Sequence, residues 1–275
     1  MNGLALSRAG IVAVASALTL TLATGCSDSS DDSGKSTRAD KETTAAKALS
    51  GAELEQRIIV TSDVDGYKVE STDKSDGFTT TKDDLKVEDA KCAPIAYVMA
   101  GLAPGDSAAD VKRVVTQDPS AAPSASPSKK LEDMTDEELD DAMKSITDAL
   151  TGTVTIVSLS SYEGDGAEKT LSSVSDAVKG CAGGFKAADK GDTQKITEVE
   201  SEKASSEGDE AVAFAVTVDA DGGDVTVHGE VVRHGGTVAT YYTLSLAAFS
   251  GETADGAADY DIPSEIIKAQ TAKLA

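Results

Sequence analysis

The sequence predicts an α+β fold, a single domain over residues 49–275 in which an antiparallel β meander carries helices packed mainly on one face. Three observations carry this. In the last third, Ile196–Glu202, Ala211–Asp219, Val225–Arg233 and Thr237–Ala247 are joined by Gly/Asp turns, and Val212, Phe214, Val216 and Val218 alternate with smaller or polar residues. That period of two predicts a meander with one buried face. Upstream, apolar residues recur at helical spacing between capping signals. Finally, there is no Trp, and there are only four Phe and six Tyr, so the core must be built from Val, Leu, Ile and Ala.

The elements follow in order. Ser50 and Glu53 form a capping box, and Leu49 with Leu54 fits a hydrophobic staple, so a helix opens at Ser50 with Leu54, Ile58 and Ile59 as its buried stripe. Asp65-Gly66 turns the chain into a short strand over 67–70. Residues 71–88 are polar and read as a loop or weak hairpin, with Phe78 as the one large anchor. Pro94 suits a first helical turn and Gly101 a C-terminal cap, which brackets a helix from about Ala93 to Ala100 with Ile95, Val98 and Met99 inward. A strand is expected over 111–115. Residues 116–134 are rich in Pro, Ala and Ser and read as a disordered insertion. Thr135 and Glu138 make a second capping box, after which Leu139, Met143, Ile146 and Leu150 keep helical spacing as far as Gly152. The β-branched run over 154–159 predicts a central strand. A helix over 167–182 would place Leu171, Val174, Val178 and Cys181 on one face. Pro263 opens a closing helix that carries Ile266, Ile267 and Leu274.

The amino terminus is organised differently. Arg8 precedes an uncharged run from Ala9 to Leu22, about 14 residues, which is short of a bilayer span. Small residues then lead to Cys26. Ala23-Thr24-Gly25-Cys26 resembles the bacterial lipoprotein signature, with Ala23 where Leu is usual and Leu22 one place early. The resemblance implies cleavage of residues 1–25 as a signal peptide and a diacylglycerol thioether on Cys26. An ordinary secreted protein with an incidental cysteine is the alternative. Residues 26–48 are Ser, Asp, Thr and Lys with almost nothing apolar, which predicts a disordered tether. From Ser27 to Ala48 its root-mean-square reach is about 25 Å.

Removing the leader leaves 24 basic side chains against 48 acidic ones. So acidic a surface repels nucleic acid, which is excluded as a partner. Outside the cell, Cys92 and Cys181 are most simply a disulfide closing a loop of about 90 residues, with two free thiols as the alternative. His228 and His234 are the only histidines. His228 shares a strand face with Glu230 but lacks a third ligand, and no Gly-x-Ser-x-Gly elbow is present, so neither a metal site nor a serine triad is read here. The acidic stretches 63–66 and 219–224 do not make a calcium loop: the twelfth position from Asp63 is Lys74, and from Asp219, where the twelfth is Glu230, the sixth is Asp224 in place of the required Gly. No catalytic residue, metal ligand or cofactor is expected, and the chain is read as non-enzymatic.

Asp65-Gly66-Tyr67-Lys68-Val69, then Lys91-Cys92-Ala93-Pro94-Ile95-Ala96, then Val178-Lys179-Gly180-Cys181 ahead of a β meander resemble actinobacterial surface lipoproteins related to the extracellular sensor domain of transmembrane serine/threonine kinases. The resemblance implies an α+β domain with a ligand cleft, and it defines no ligand-binding residue. The expectation is a lipoprotein on the outer face of the cell membrane, held by its lipid anchor, with a sensor-like domain that binds an unidentified extracellular ligand or protein partner. A carrier of an amphiphile is the alternative, and a cell-wall hydrolase a further one. A cavity lined only by Val, Leu and Ile would favour the carrier. Converging carboxylates in a groove would favour the hydrolase.

Overall fold

The structure is a computed structural model and describes residues 47–72, 80–118, 135, 152–220, 223–246 and 260–275. Cys26 and the leader, nearly all of the tether, Phe78, the body of the 116–134 insertion and the helix expected between Thr135 and Gly152 lie outside the described residues. Residues Thr44–Ala275 form one unit. Its strands are β1 (Tyr67–Ser71), β2 (Leu85–Val87), β3 (Ala109–Gln117), β4 (Thr153–Ser161), β5 (Phe185–Asp189), β6 (Asp192–Glu202), β7 (Glu210–Ala220), β8 (Gly223–His234) and β9 (Thr237–Ser245). Its helices are α1 (Gly51–Arg57), α2 (Ala93–Met99), α3 (Gly166–Gly180) and α4 (Ser264–Leu274). All nine strands join one antiparallel sheet in the order β1-β3-β4-β9-β8-β7-β6-β5-β2.

The meander is longer than the sequence pattern indicates. It begins with β5, which the alternation does not reveal because two of its five residues are Ala and two are charged. A two-residue turn, Lys190-Gly191, returns β5 into β6; both residues take positive φ, 48° and 102°. That is the geometry of a tight hairpin whose twist matches its strands. Part of the polar stretch 71–88 becomes β2, an edge strand on β5. β3 runs to Gln117, two residues into the stretch read as an insertion.

Burial on one face only holds for β6, where Ile196 and Val199 are buried among exposed neighbours. It fails for β9, which is buried on both faces, as is β4, the strand expected to be central. Ile156, Val238 and Tyr242 join one core with Ile95 and Val98 of α2 and Leu171, Val174 and Val178 of α3. Their strand neighbours Val157, Ala239 and Tyr241 point the other way, into a second core with Leu54 of α1 and Ile266 and Ile267 of α4. The helices therefore divide between the two faces, with α3 the longest of them. Each fully buried Ile or Leu contributes about 1.5–3 kcal/mol.

Local signals explain how each helix is placed. Ser50 caps α1 as expected: Glu53 N donates to Ser50 Oγ at 3.4 Å, and Ser50 N donates to Glu53 Oε2 at 2.8 Å. Leu49 N donates to Ser161 Oγ at 2.7 Å, which ties the start of α1 to β4. Gly101 ends α2 at φ 65°. Cys92, which leads into α2, is bonded to Cys181 at the C-terminal end of α3, with a Cα–Cα separation of 5.9 Å. Three residues on, Gly184 takes φ 81° so close to β6 that a Cβ there would lie 2.2 Å from the Ile196 carbonyl oxygen.

Gln270 is a buried polar residue of α4 that helical spacing cannot flag. Its Oε1 accepts from Ile59 N at 3.0 Å, and its Nε2 donates to Arg57 O at 2.8 Å. One amide thus satisfies two backbone groups at the end of α1, of which the Ile59 N–H would otherwise be buried without a partner. Replacing Gln270 by Leu should lower the unfolding free energy by about 2–4 kcal/mol, measured by urea denaturation, because both groups lose their partner. Reduction of Cys92–Cys181 should cost about 3–5 kcal/mol in the same assay, since the crosslink restricts the unfolded chain.

Candidate functional site

On the face that carries α2 and α3, three strands bring one strip of side chains into line. Leu85 of β2 pairs with Asp189 of β5, and Asp189 pairs with Asp192 of β6 across the hairpin turn. Two positions further along, Ala187 pairs with Gln194, and then Phe185 with Ile196. Because side chains alternate, this strip shares one face and changes from acidic at the turn to apolar further in. It forms one wall of a cavity of about 430 Å³. Ala96, Met99 and Ala100, at the end of α2, supply a second wall. Tyr242, Leu244 and Leu246, from β9 onward, supply a third. Burial pushes the Tyr242 phenol far above its ordinary range, so it stays protonated.

The polar groups of this cavity lie together. Thr80 Oγ1 donates to Asp189 Oδ2. The other oxygen, Asp189 Oδ1, is shut from solvent and has no hydrogen-bond partner among the described residues. Asp192 is exposed at the end of the hairpin. A volume of this size, apolar walls and a few polar groups gathered at one end are what small-molecule sites share. A broader hollow of about 690 Å³ along the outer side of α3 has a different character. Charged groups such as Asp165 and Lys169 line it, and these two pair with each other at 2.8 Å.

The residues weighed from sequence are separated from this cavity or engaged elsewhere. His228 Nδ1 lies 3.1 Å from both carboxylate oxygens of Glu202, and the Tyr260 ring meets the His228 ring edge-on at 4.8 Å. Glu230 is buried and accepts from Ser205 N at 3.0 Å and from Ser205 Oγ. His228 and Glu230 thus share a face, as expected, but bond to different partners. His234 is half-buried, and burial pulls its imidazole below the ordinary range. Asp63 accepts from Lys273 Nζ and from Val60 N, both at 2.8 Å, and Asp219 pairs with Lys195 at 2.9 Å. Among the described residues no group of three or more His, Cys, Asp or Glu could hold a metal ion. Cys92 and Cys181 form the expected disulfide.

Sequence reasoning missed the cavity because it missed β5. The available signal was Asp189-Lys190-Gly191-Asp192, a Gly-containing two-residue turn between Phe185, Ala187 and Gln194, Ile196.

No family model matches the chain, and no curated protein matches it. Among solved structures, the chain is similar to the extracellular domain of PknH from Mycobacterium tuberculosis, at 12% identity and a TM-score of 0.45, over 83% of this chain and 95% of that one.

Burial raises the Glu230 carboxyl above the ordinary glutamate range, and the charges of Asp261 and Glu202 add to the shift. A raised native value means that the folded protein holds this proton more tightly than the unfolded chain does. Its contribution to stability is therefore complete below the unfolded value and lost as pH rises through the native one. Glu230→Gln keeps an acceptor for Ser205 and removes the titration. The stability of this variant relative to the parent protein should be higher at pH 7 than at pH 4, measured by urea unfolding at both.

Proposed function

We propose that the protein is a lipid-anchored extracytoplasmic lipoprotein whose domain binds a small ligand, in a sensor-like role and without catalysis. The single observation that carries the binding role is the cavity between α2 and the β5–β6 hairpin, about 430 Å³ with apolar walls and a polar end. The Thr21–Cys26 stretch supports the anchor. The Cys92–Cys181 disulfide fits an oxidising compartment. Among the described residues no helix is long and apolar enough to cross a membrane, so the described domain would pass a signal on through a partner.

Two features separate this reading from its rivals. A carrier of an amphiphile in an apolar cavity would have walls of Val, Leu and Ile only, whereas Thr80, Asp189, Asp192 and Gln194 make this cavity polar at one end. A glycoside hydrolase places its two carboxyl groups on either side of the bond it cleaves. Asp189 and Asp192 are cross-strand partners on one wall. That placement on a single wall supports binding over cleavage.

The anchor is tested by growing the native host with labelled palmitate. The protein should take up label, and Cys26→Ala should abolish it and leave the chain unprocessed or released. Label that persists in Cys26→Ala would overturn the anchor and leave the cavity unaffected.

A further inference from the structure

We propose that the cavity selects a small cationic amphiphile, with an ammonium or guanidinium head held at Asp189 and Asp192 and an apolar body lying against Leu85, Ile196 and Leu244. The inference rests on the binding role proposed above and adds the chemical class of the ligand.

Three features point to a cation. Asp189 and Asp192 face each other directly across the hairpin. Like charges in that register repel and destabilise the pair of strands, unless a positive group lies between them. Next, Asp189 is half satisfied. Thr80 supplies a hydroxyl to Oδ2, while Oδ1 is closed off from water without a donor among the described residues. A buried acceptor left unmade is costly, and more so when it is charged. A turn of the carboxylate about its terminal bond would bring an oxygen to the cavity, where an N–H donor carried by a ligand would satisfy it with a charge-assisted hydrogen bond. Finally, the chain carries a formal net charge of −23, which raises the local concentration of cations and disfavours anions at the same opening.

The rest of the cavity argues for an organic cation with a body. A bare metal ion would leave the apolar walls unused, and the described residues supply no set of three ligating side chains. Leu85, Ile196 and Leu244 come from three different strands and give the body an apolar surface that begins at Leu85, the cross-strand partner of Asp189, and continues inward along β6 to Ile196. Met99, on the opposite wall, is flexible and polarisable and can settle around bodies of different shape.

The test uses the full chain in nanodiscs with isotope-labelled methionine methyls. The sequence has four methionines, and Met99→Leu identifies the one resonance that reports on the cavity. Three probes share one body: phenylbutylammonium, phenylbutanol and phenylbutyrate. The ammonium should shift the Met99 signal saturably, with an affinity about tenfold or more above the alcohol, and the carboxylate should bind most weakly. Asp189→Asn should lower the affinity for the ammonium about tenfold and leave the alcohol unchanged. Asp192→Asn, at the exposed end of the hairpin, should give a smaller loss in the same direction, and it carries the test if Asp189→Asn does not fold. Equal binding of ammonium and alcohol, unaffected by either variant, would overturn the cationic preference and leave the binding role standing. A Met99 signal moved by calcium chloride and not by the ammonium would overturn it in favour of a metal ion. A Met99 signal that none of the three probes moves would remove the cavity as a binding site, and this inference with it.

Discussion

β4 and β9 pair in register from Thr153↔Ser245 to Ser161↔Thr237, and almost every side chain along both strands is buried. Two adjacent strands dry on both faces need a cover on both faces, and this requirement arranges the remaining elements. α1 and α4 close one side, and α2 and α3 the other. It also sets the chemistry of the interior, because Ser and Thr are common in these two strands and their hydroxyls must be satisfied where they are buried. Thr155 and Thr243 share a hydrogen bond at 2.8 Å across the pair, and Ser158 Oγ donates to the Gly101 carbonyl at 3.0 Å. The last contact joins the end of α2 to the middle of β4, so the interior of the sheet also fixes where α2 stops.

α2 is seven residues long, and a helix of two turns does not hold together on its own in water. It is secured at both ends, by Cys92–Cys181 where it begins and by Gly101 and Ser158 where it ends. Between these points Ile95, Ala96 and Val98 are buried against the sheet and α3. The cavity depends on this arrangement, since Ala96, Met99 and Ala100 form one of its walls. The disulfide thus does more than restrict the unfolded chain: it positions a wall of the candidate site. The cavity's opposite wall is the β5–β6 hairpin, whose turn places Asp189 beside Asp192.

Much of this fold is legible in the sequence, for physical reasons that differ from element to element. Ser50 and Glu53 predict the start of α1 because a capping box is a local interaction that needs no tertiary partner. The alternation in β7 predicts a strand because Phe214, Val216 and Val218 all face the same core. Residues with both faces buried lose that contrast, so the doubly covered β4 and β9 are seen as strands while the helices beyond them are not placed on the correct sides. β5 escapes because Ala187 and Ala188 have no strong preference for a strand, and its pairing with β6 depends on a turn of two residues. Gln270 escapes because its role is to satisfy the backbone of α1, more than 200 positions away along the chain. The cavity inherits the gap at β5: without that strand, Asp189 and Asp192 are two acids near a turn and not a paired end to an apolar wall.

Hydrogen–deuterium exchange of the domain, with and without reductant, tests the central claim that a doubly buried β4–β9 pair carries a short helix pinned by a disulfide. The amides of β4 and β9 should be the slowest to exchange in both conditions. The amides of α2 should be protected in the oxidised protein and should exchange markedly faster once Cys92–Cys181 is reduced. An α2 whose protection is unchanged by reduction, or a β4–β9 pair that exchanges as fast as the edge strands β1 and β2, would contradict the account.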